Sequence, residues 1–390
     1  MGMGEREGKT QGEMWIAAQD VVRPEGHPFY VQLNQVLKER GFDAFVEGRC
    51  RKFYKEGGRP SIPPGIYFRM LMVGYFEGLD SESGIAWRCG DSLALRQFLG
   101  YELTEQTPDH SSLSVIRNRL SIRAHKQFFR WVVVVLARAG LVKGKTVGVD
   151  STTLVANAAM KSIVRRETGQ KYEEFLKELA RNAGIENPTR EELAKLDRKR
   201  KNKTSNDDWM NPNDPEAKIT KLKDGRTHLA HKDEHAVDME TGAVLAVTVQ
   251  PANEDDRSSL PQTLKEAQAN LGEAARNVEV RRALPQSQRP KEWIEEVVAD
   301  KGYHSNDSLV KTQEQTIRTY IAEPDYGRRK WEKKERAQAA VYANRRRIQG
   351  TRGKRLMRKR GELIERTFAH ALETGGMRRV YLHGKVKILK

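Results

Sequence analysis

Thr146-Val147-Gly148-Val149-Asp150-Ser151-Thr152-Thr153 is the stretch on which the fold turns. A short apolar run that stops at a carboxylate reads as a buried strand whose acid sits at the sheet edge, held there by the backbone. A second run of this kind, Ile294 to Ala299, leads into Asp300-Lys301-Gly302-Tyr303. A third acid, Glu365, lies in Glu362-Leu363-Ile364-Glu365-Arg366-Thr367-Phe368, where the apolar spacing is helical. Acids delivered by two strand ends and a helix suit hard divalent cations, which in two-ion phosphoryl-transfer sites sit about 4 Å apart and need several oxygen ligands.

Between these acids the pattern alternates. Thr227 to Val237 reads as a strand, Asp238-Met239-Glu240-Thr241-Gly242 as a turn, and Ala243 to Val249 as its antiparallel partner. Asp255-Asp256 caps a helix over Arg257 to Arg276, and Ile317 to Ala322 supplies a further strand. This order predicts an α+β or α/β core: a ribonuclease-H-like mixed sheet flanked by helices, with the first and fourth strands side by side and their terminal acids adjacent. The expected catalytic domain is 144–390, with a helical insertion over about 160–215, including a loop from Thr204 to Pro215, and a basic insertion over about 325–358.

Ahead of it, 26–143 reads as an all-α domain. Phe29, Leu33, Val36 and Leu37 recur at helical spacing, Ser61-Ile62-Pro63-Pro64 opens a second helix, Asp91 is placed to cap another, and Thr107-Pro108-Asp109-His110 begins a helix carrying Arg117 and Arg119. Short helices ending in an Arg-bearing one resemble a helix-turn-helix reader, although any small helical bundle has the same periodicity. Residues 1–25 are polar and Gly-rich and are expected to be flexible. The joint at Leu141 to Lys145 is the expected domain boundary.

Seventy Lys and Arg against 53 Asp and Glu, with a pI near 9.7, point to a polyanionic partner, nucleic acid first. The excess is local: Tyr326 to Arg360 holds fifteen Lys and Arg and two Glu. Such a block self-repels unless a polyanion neutralises it. Tyr326, Trp331 and Tyr342 interleave it and are placed to stack on unpaired bases. A smaller basic run, Lys195 to Lys203, serves solvation and DNA contact equally well. Two cysteines, Cys50 and Cys89, are too few for a thiolate zinc site. No signal-peptide order or long apolar run is present, which sets the expectation of a cytoplasmic protein.

The motifs in their order resemble the DDE transposases of bacterial insertion sequences, in the group with a helical N-terminal domain before a ribonuclease-H-like core. The resemblance rests on Arg59-Pro60-Ser61, on Thr107-Pro108-Asp109-His110-Ser111-Ser112, on Val149-Asp150-Ser151-Thr152, on Glu234-His235-Ala236-Val237-Asp238, on Ala299-Asp300-Lys301-Gly302-Tyr303 and on Ile364-Glu365-Arg366-Thr367-Phe368. It implies that Asp150, Asp300 and Glu365 are the catalytic and metal-binding triad for two Mg²⁺ or Mn²⁺ ions, that terminal inverted repeats and target DNA are the partners, and that the working form is a homodimer or larger. DNA contacts are expected from Arg117, Arg119, Lys301, Trp331, Arg345, Arg346, Arg347, Arg358, Arg360 and Arg366. His231 and His235 read as surface or substrate-side histidines, and His304 and His370 as neighbours of the acids. Many relatives have a Lys seven residues after the Glu where this chain has Leu372, and continue through another apolar helix after the segment that ends here. Two alternatives therefore stand beside the active transposase: a truncated, catalytically weak DNA-binding repressor, and a nuclease without joining activity.

Overall fold

The computed structural model describes residues 26–55, 57, 61–200, 205–222 and 225–390. The expected flexible N-terminus, Arg59-Pro60 and the end of the Lys195 to Lys203 run lie outside the described residues. Two compact units arise, one from Met1–Val73 with Glu82–Ile116 and one from Gly74–Ser81 with Arg117–Lys390. The joint at Leu141 to Lys145 falls inside the second.

Helices α1 (Pro28–Glu39), α2 (Phe42–Cys50), α3 (Pro64–Phe76), α4 (Glu82–Asp91), α5 (Leu93–Leu99) and α6 (His110–Arg119) occupy the N-terminal third. In the first unit Tyr30, Phe42, Val46, Ile85 and Phe98 are buried, and Arg69, itself buried, forks onto Asp43 at 2.6 and 2.9 Å with its guanidinium over the Phe42 ring. The cap of α5 is Ser92, whose Oγ accepts from the Leu95 amide, rather than the expected Asp91, which closes α4. Asp109 Oδ1 accepts from the Ser112 amide at the start of α6, in keeping with the capping pattern of the Thr-Pro-Asp-His stretch.

The second unit begins with α7 (Ile122–Arg138) and β1 (Thr146–Val155). It continues through β2 (Val164–Arg165), α8 (Tyr172–Asn182), α9 (Arg190–Lys199), β3 (Trp209–Met210), β4 (Lys218–Lys221), β5 (Thr227–Asp238), β6 (Val244–Pro251), α10 (Asp256–Arg276) and α11 (Val278–Ala283). β7 (Glu296–Ala299), α12 (Asn306–Glu314), β8 (Arg318–Ile321), α13 (Glu335–Gln349), α14 (Thr351–Ala369) and α15 (Lys385–Ile388) complete it. β5 pairs antiparallel with β1 and with β6, β7 runs parallel to β1 and β8 parallel to β7, and the path is β4-β5-β1-β7-β8 with β6 also on β5. This is the expected ribonuclease-H-like mixed sheet flanked by helices. The loop expected from Thr204 to Pro215 instead contains β3, paired with β2, and Trp209 is a buried anchor of a small core with Ile163, Ile219 and Leu229.

Strand alternation divides the core. Val147 and Val149 face α10 with Leu260, Leu264, Ala267 and Leu271, and α7 closes this side through Lys126 on Glu266 at 2.8 Å and Arg130 on Asn270 at 2.8 Å. Gly148 faces α14. A Cβ there would lie 2.5 Å from Met239 Sδ and 2.9 Å from Ile364 Cδ1, so the absent side chain lets α14 lie directly on β1. The segment expected as a basic insertion over about 325–358 is built into the fold: Ala340 and Val341 on α13 belong to the main core, Asn344 pairs with the backbone of Ile321, and α14 starts at Thr351, well before Glu365.

Gly148→Val should destabilise the protein by about 1–3 kcal/mol in urea denaturation, because α14 must lift from the sheet; unchanged stability would show that the approach is not tight. His125 on α7 is buried, and burial pushes its pKa from 6.5 down to about 4. The unfolded imidazole therefore takes up its proton first, and the stability that neutral His125 contributes is full above pH 6.5 and is lost as pH falls toward about 4. His125→Gln should accordingly reduce the acid-induced loss of unfolding free energy across that window by about 3 kcal/mol. An identical pH dependence in the two proteins refutes it.

Candidate active site

β1 and β7 are parallel, with Val149 opposite Ala299. The next residue after each is an acid: Asp150 lies within β1, still paired with His235 of β5, and Asp300 directly follows the end of β7, so both fall on the face that α14 covers. Their proximity is felt electrostatically. Burial pushes the Asp150 carboxyl pKa up, the neighbouring Asp300 charge pushes it further, and Arg360 and the Ser151 amide oppose them. Asp150 Oδ1 accepts from the Ser151 amide at 2.9 Å, while Oδ2 is held by the Arg360 guanidinium. Asp300 Oδ1 accepts from the Gly302 amide at 2.8 Å and so caps the short 3-10 turn Lys301–Tyr303.

Glu365 lies on α14 next to Ile364, the residue packed over Gly148, but is itself exposed. Its rival Glu362 is also exposed and pairs with Arg366 at 3.1 Å. The structure thus joins Asp150 with Asp300 and sets Arg360, not Glu365, against Asp150. Among the described residues no three His, Cys, Asp or Glu side chains form a set able to hold a metal ion. Two adjoining carboxylates at a sheet edge are a suitable donor pair for a hard cation; the third acid is not closed onto them in this arrangement.

Behind the acids, on the α10 side, Asp256 accepts from Ser151 Oγ at 3.1 Å and from Lys232 Nζ at 2.9 Å. Sequence reading found Asp256 only as a capping residue, because nothing local announces that the start of α10 abuts the residue after Asp150. His231 and His235, expected at the surface or substrate side, are buried: His231 pairs with Asp214 at 2.9 Å, and His235 contacts Asp233 at 3.0 Å and Thr367 at 2.9 Å. His235 thereby ties β5 to α14 two residues beyond Glu365. His304 is fully buried and burial lowers its pKa, whereas His370 is exposed at the end of α14.

The residues expected to meet DNA divide by their surroundings. Arg117 is 3% exposed, with its guanidinium over the Tyr381 ring and bonded to the Tyr381 hydroxyl, so the expected DNA-reading role does not hold for it in this arrangement. Arg345 forks onto Glu323 at 2.5 and 2.9 Å, Arg347 donates to Thr319 at 2.8 and 3.0 Å, and Arg360 is engaged by Asp150. These three serve the interior. Trp331 packs against the main core, and Arg329 covers both Trp331 and Tyr326, so these rings are already stacked on a cation. Arg119, Lys301, Arg346, Arg358 and Arg366 reach solvent, the last paired with Glu362.

Comparison with known families agrees with this architecture. Residues 17–119 match a transposase domain (DUF772), and residues 212–388 match the transposase DDE domain. The second match includes Asp300 and Glu365; Asp150 precedes it. No curated protein and no solved structure matches the chain.

Proposed function

Since the chain belongs to the DDE transposases of insertion sequences, we propose that it cuts DNA at the ends of its element and joins the freed 3′ ends to target DNA, with Asp150, Asp300 and Glu365 as the catalytic acids. The observation that carries this reading is the parallel register that sets Asp150 beside Asp300. Asp150, Asp300 and, from α14, Glu365 would hold two divalent ions, Mg²⁺ or Mn²⁺ by the hardness of their oxygens. Ions held there would supply Lewis-acid stabilisation of the attacking and leaving oxygens in an in-line displacement.

The remaining work belongs to the protein. Burial and the paired negative charge give Asp150 a strong demand for a cation, which Arg360 meets in the arrangement described. With ions held at Asp150, the Arg360 fork would be free to take a DNA phosphate, a bidentate geometry that lysine does not offer. The turn after Asp300 keeps that carboxylate fixed through the Gly302 amide. Residues 26–143 serve as the end-recognition region, and the complex contains at least two copies of the chain, because two element ends must be brought together.

The Arg360–Asp150 pair and the exposed Glu365 favour one second reading: a transposase-derived protein that binds element ends without cutting them. Linear DNA bearing the element's ends separates the two. The intact chain with Mg²⁺ should cut it, and Asp150→Asn should bind it equally while cutting at least about 10²-fold more slowly, since it removes a ligand charge at nearly constant shape. Binding without cutting by the intact chain supports the second reading; equal cutting by both proteins rejects Asp150. For the DNA interface, Arg346→Glu with Arg358→Glu should weaken binding across sequences and flatten the dependence of log K on log salt by about one unit for each phosphate no longer neutralised. An unchanged slope excludes both residues from the interface.

A further inference from the structure

On the α10 side of the sheet, opposite the open acids, sits a carboxylate that the reaction does not use. Glu234 on β5 lies across from Ser151 on β1 and is fully buried. It accepts hydrogen bonds from Ser259 Oγ at 2.7 Å, from the Tyr303 hydroxyl at 2.8 Å and from Thr263 Oγ1. Removing a carboxylate from water is costly, and an apolar residue of similar volume generally serves a core at least as well. The retained acid therefore calls for a role beyond packing.

The tyrosine among its donors supplies one. Tyr303, also fully buried, ends the tight turn that Asp300 begins, and the Tyr303 amide donates back to the Asp300 carbonyl at 3.3 Å. Gly302 within that turn is closely packed: a Cβ would lie 2.6 Å from Asp256 Oδ2 and 3.0 Å from Asp300 Oδ1, so the carboxylates would have to shift to admit it. The turn is consequently wedged between Asp256, which holds Ser151 and Lys232, and the phenol anchored on Glu234. Lys232 also donates to Ser259 Oγ at 3.1 Å, so one buried polar network connects the residue after Asp150 with the turn after Asp300. Burial and the adjoining carboxylate keep the Tyr303 phenol protonated and hence a donor.

We infer that Glu234 and Tyr303 are positioning residues, whose buried hydrogen bond fixes the Asp300 carboxylate beside Asp150 without touching cation or DNA. This rests on the reading of Asp150 and Asp300 as cation ligands. A tyrosine retained only for its bulk would be replaceable by phenylalanine, and a buried Glu234 retained only for folding would be replaceable by methionine; the positioning role forbids both.

The test is Mn²⁺ binding without DNA, followed by the electron paramagnetic resonance signal of the free ion, for the full chain and for Tyr303→Phe, Glu234→Met, Glu234→Gln and Asp300→Asn. Folding is checked by circular dichroism and melting temperature. Either Tyr303→Phe or Glu234→Met, whichever folds, should bind Mn²⁺ about tenfold or more weakly, as is typical when the group orienting a metal ligand is lost. Glu234→Gln still offers a carbonyl oxygen to the phenol and should stay within about threefold of the unaltered chain. A folded Tyr303→Phe or Glu234→Met protein with unaltered Mn²⁺ affinity overturns the inference, whatever its melting temperature. Equal affinity in the unaltered chain and Asp300→Asn overturns the cation-ligand reading itself, and this inference with it.

Discussion

The parallel pairing of β1 with β7 is the constraint on which the site depends. With Val149 opposite Ala299, the two acids that follow emerge on one face, although 150 positions separate them in sequence. A slip of one residue would send one carboxylate into the apolar core beneath α10 and leave the other alone. The register is well defended, because Val147, Val149, Val297 and Ala299 fill the α10 side with almost no exposure, while Gly148 and Val298 meet α14. Chemistry and packing are thus specified by the same alternation.

α14 adds the second half of the arrangement. Its closeness to β1 is set at Gly148, and from that crossing Arg360 reaches Asp150 while Thr367 and Phe368 rest on His235. Cations on this helix and on α13 are divided between two duties. Arg345, Arg347, Arg352 and Arg360 neutralise or cap Glu323, Thr319, Glu296 and Asp150, while Arg346 and Arg358 face solvent. A count of positive charges along the segment merges these duties, and only the partners separate them.

The same distinction explains what could be read from the chain. The first half of β1 up to Asp150, β7 ahead of Asp300, the β5–β6 hairpin with its Asp238 to Gly242 turn, and α10 were legible because each is announced locally by apolar period, cap or turn residues, whereas the continuation of β1 to Val155, expected to stop at Asp150, was not. What escaped is nonlocal. β3 is two residues long, pairs with β2 far back in sequence, and has Trp209 buried with Ile163 and Ile219. Arg117 looked like a reader of DNA until Tyr381, far along the chain, covered it. His231 and His235 alternate like surface residues, yet β5 is buried on both faces, and Asp214 ahead of β4 and Asp233 on β5 itself pair with them. The partnership of Arg360 with Asp150 carries no local mark at all.

Between β1 and β4 the chain builds small cores of its own. Ile163, Trp209, Ala217 and Ile219 form one hydrophobic cluster that leans on Leu229 of β5, and Leu176, Ala180 and Leu193 on α8 and α9 form another, both separate from the cluster beneath α10. Segments with private, modest apolar cores open on their own free-energy scale. Amides in α8 and α9 can therefore trade their hydrogens with solvent through local openings, while the strands bearing the two aspartates keep theirs until the whole unit comes apart.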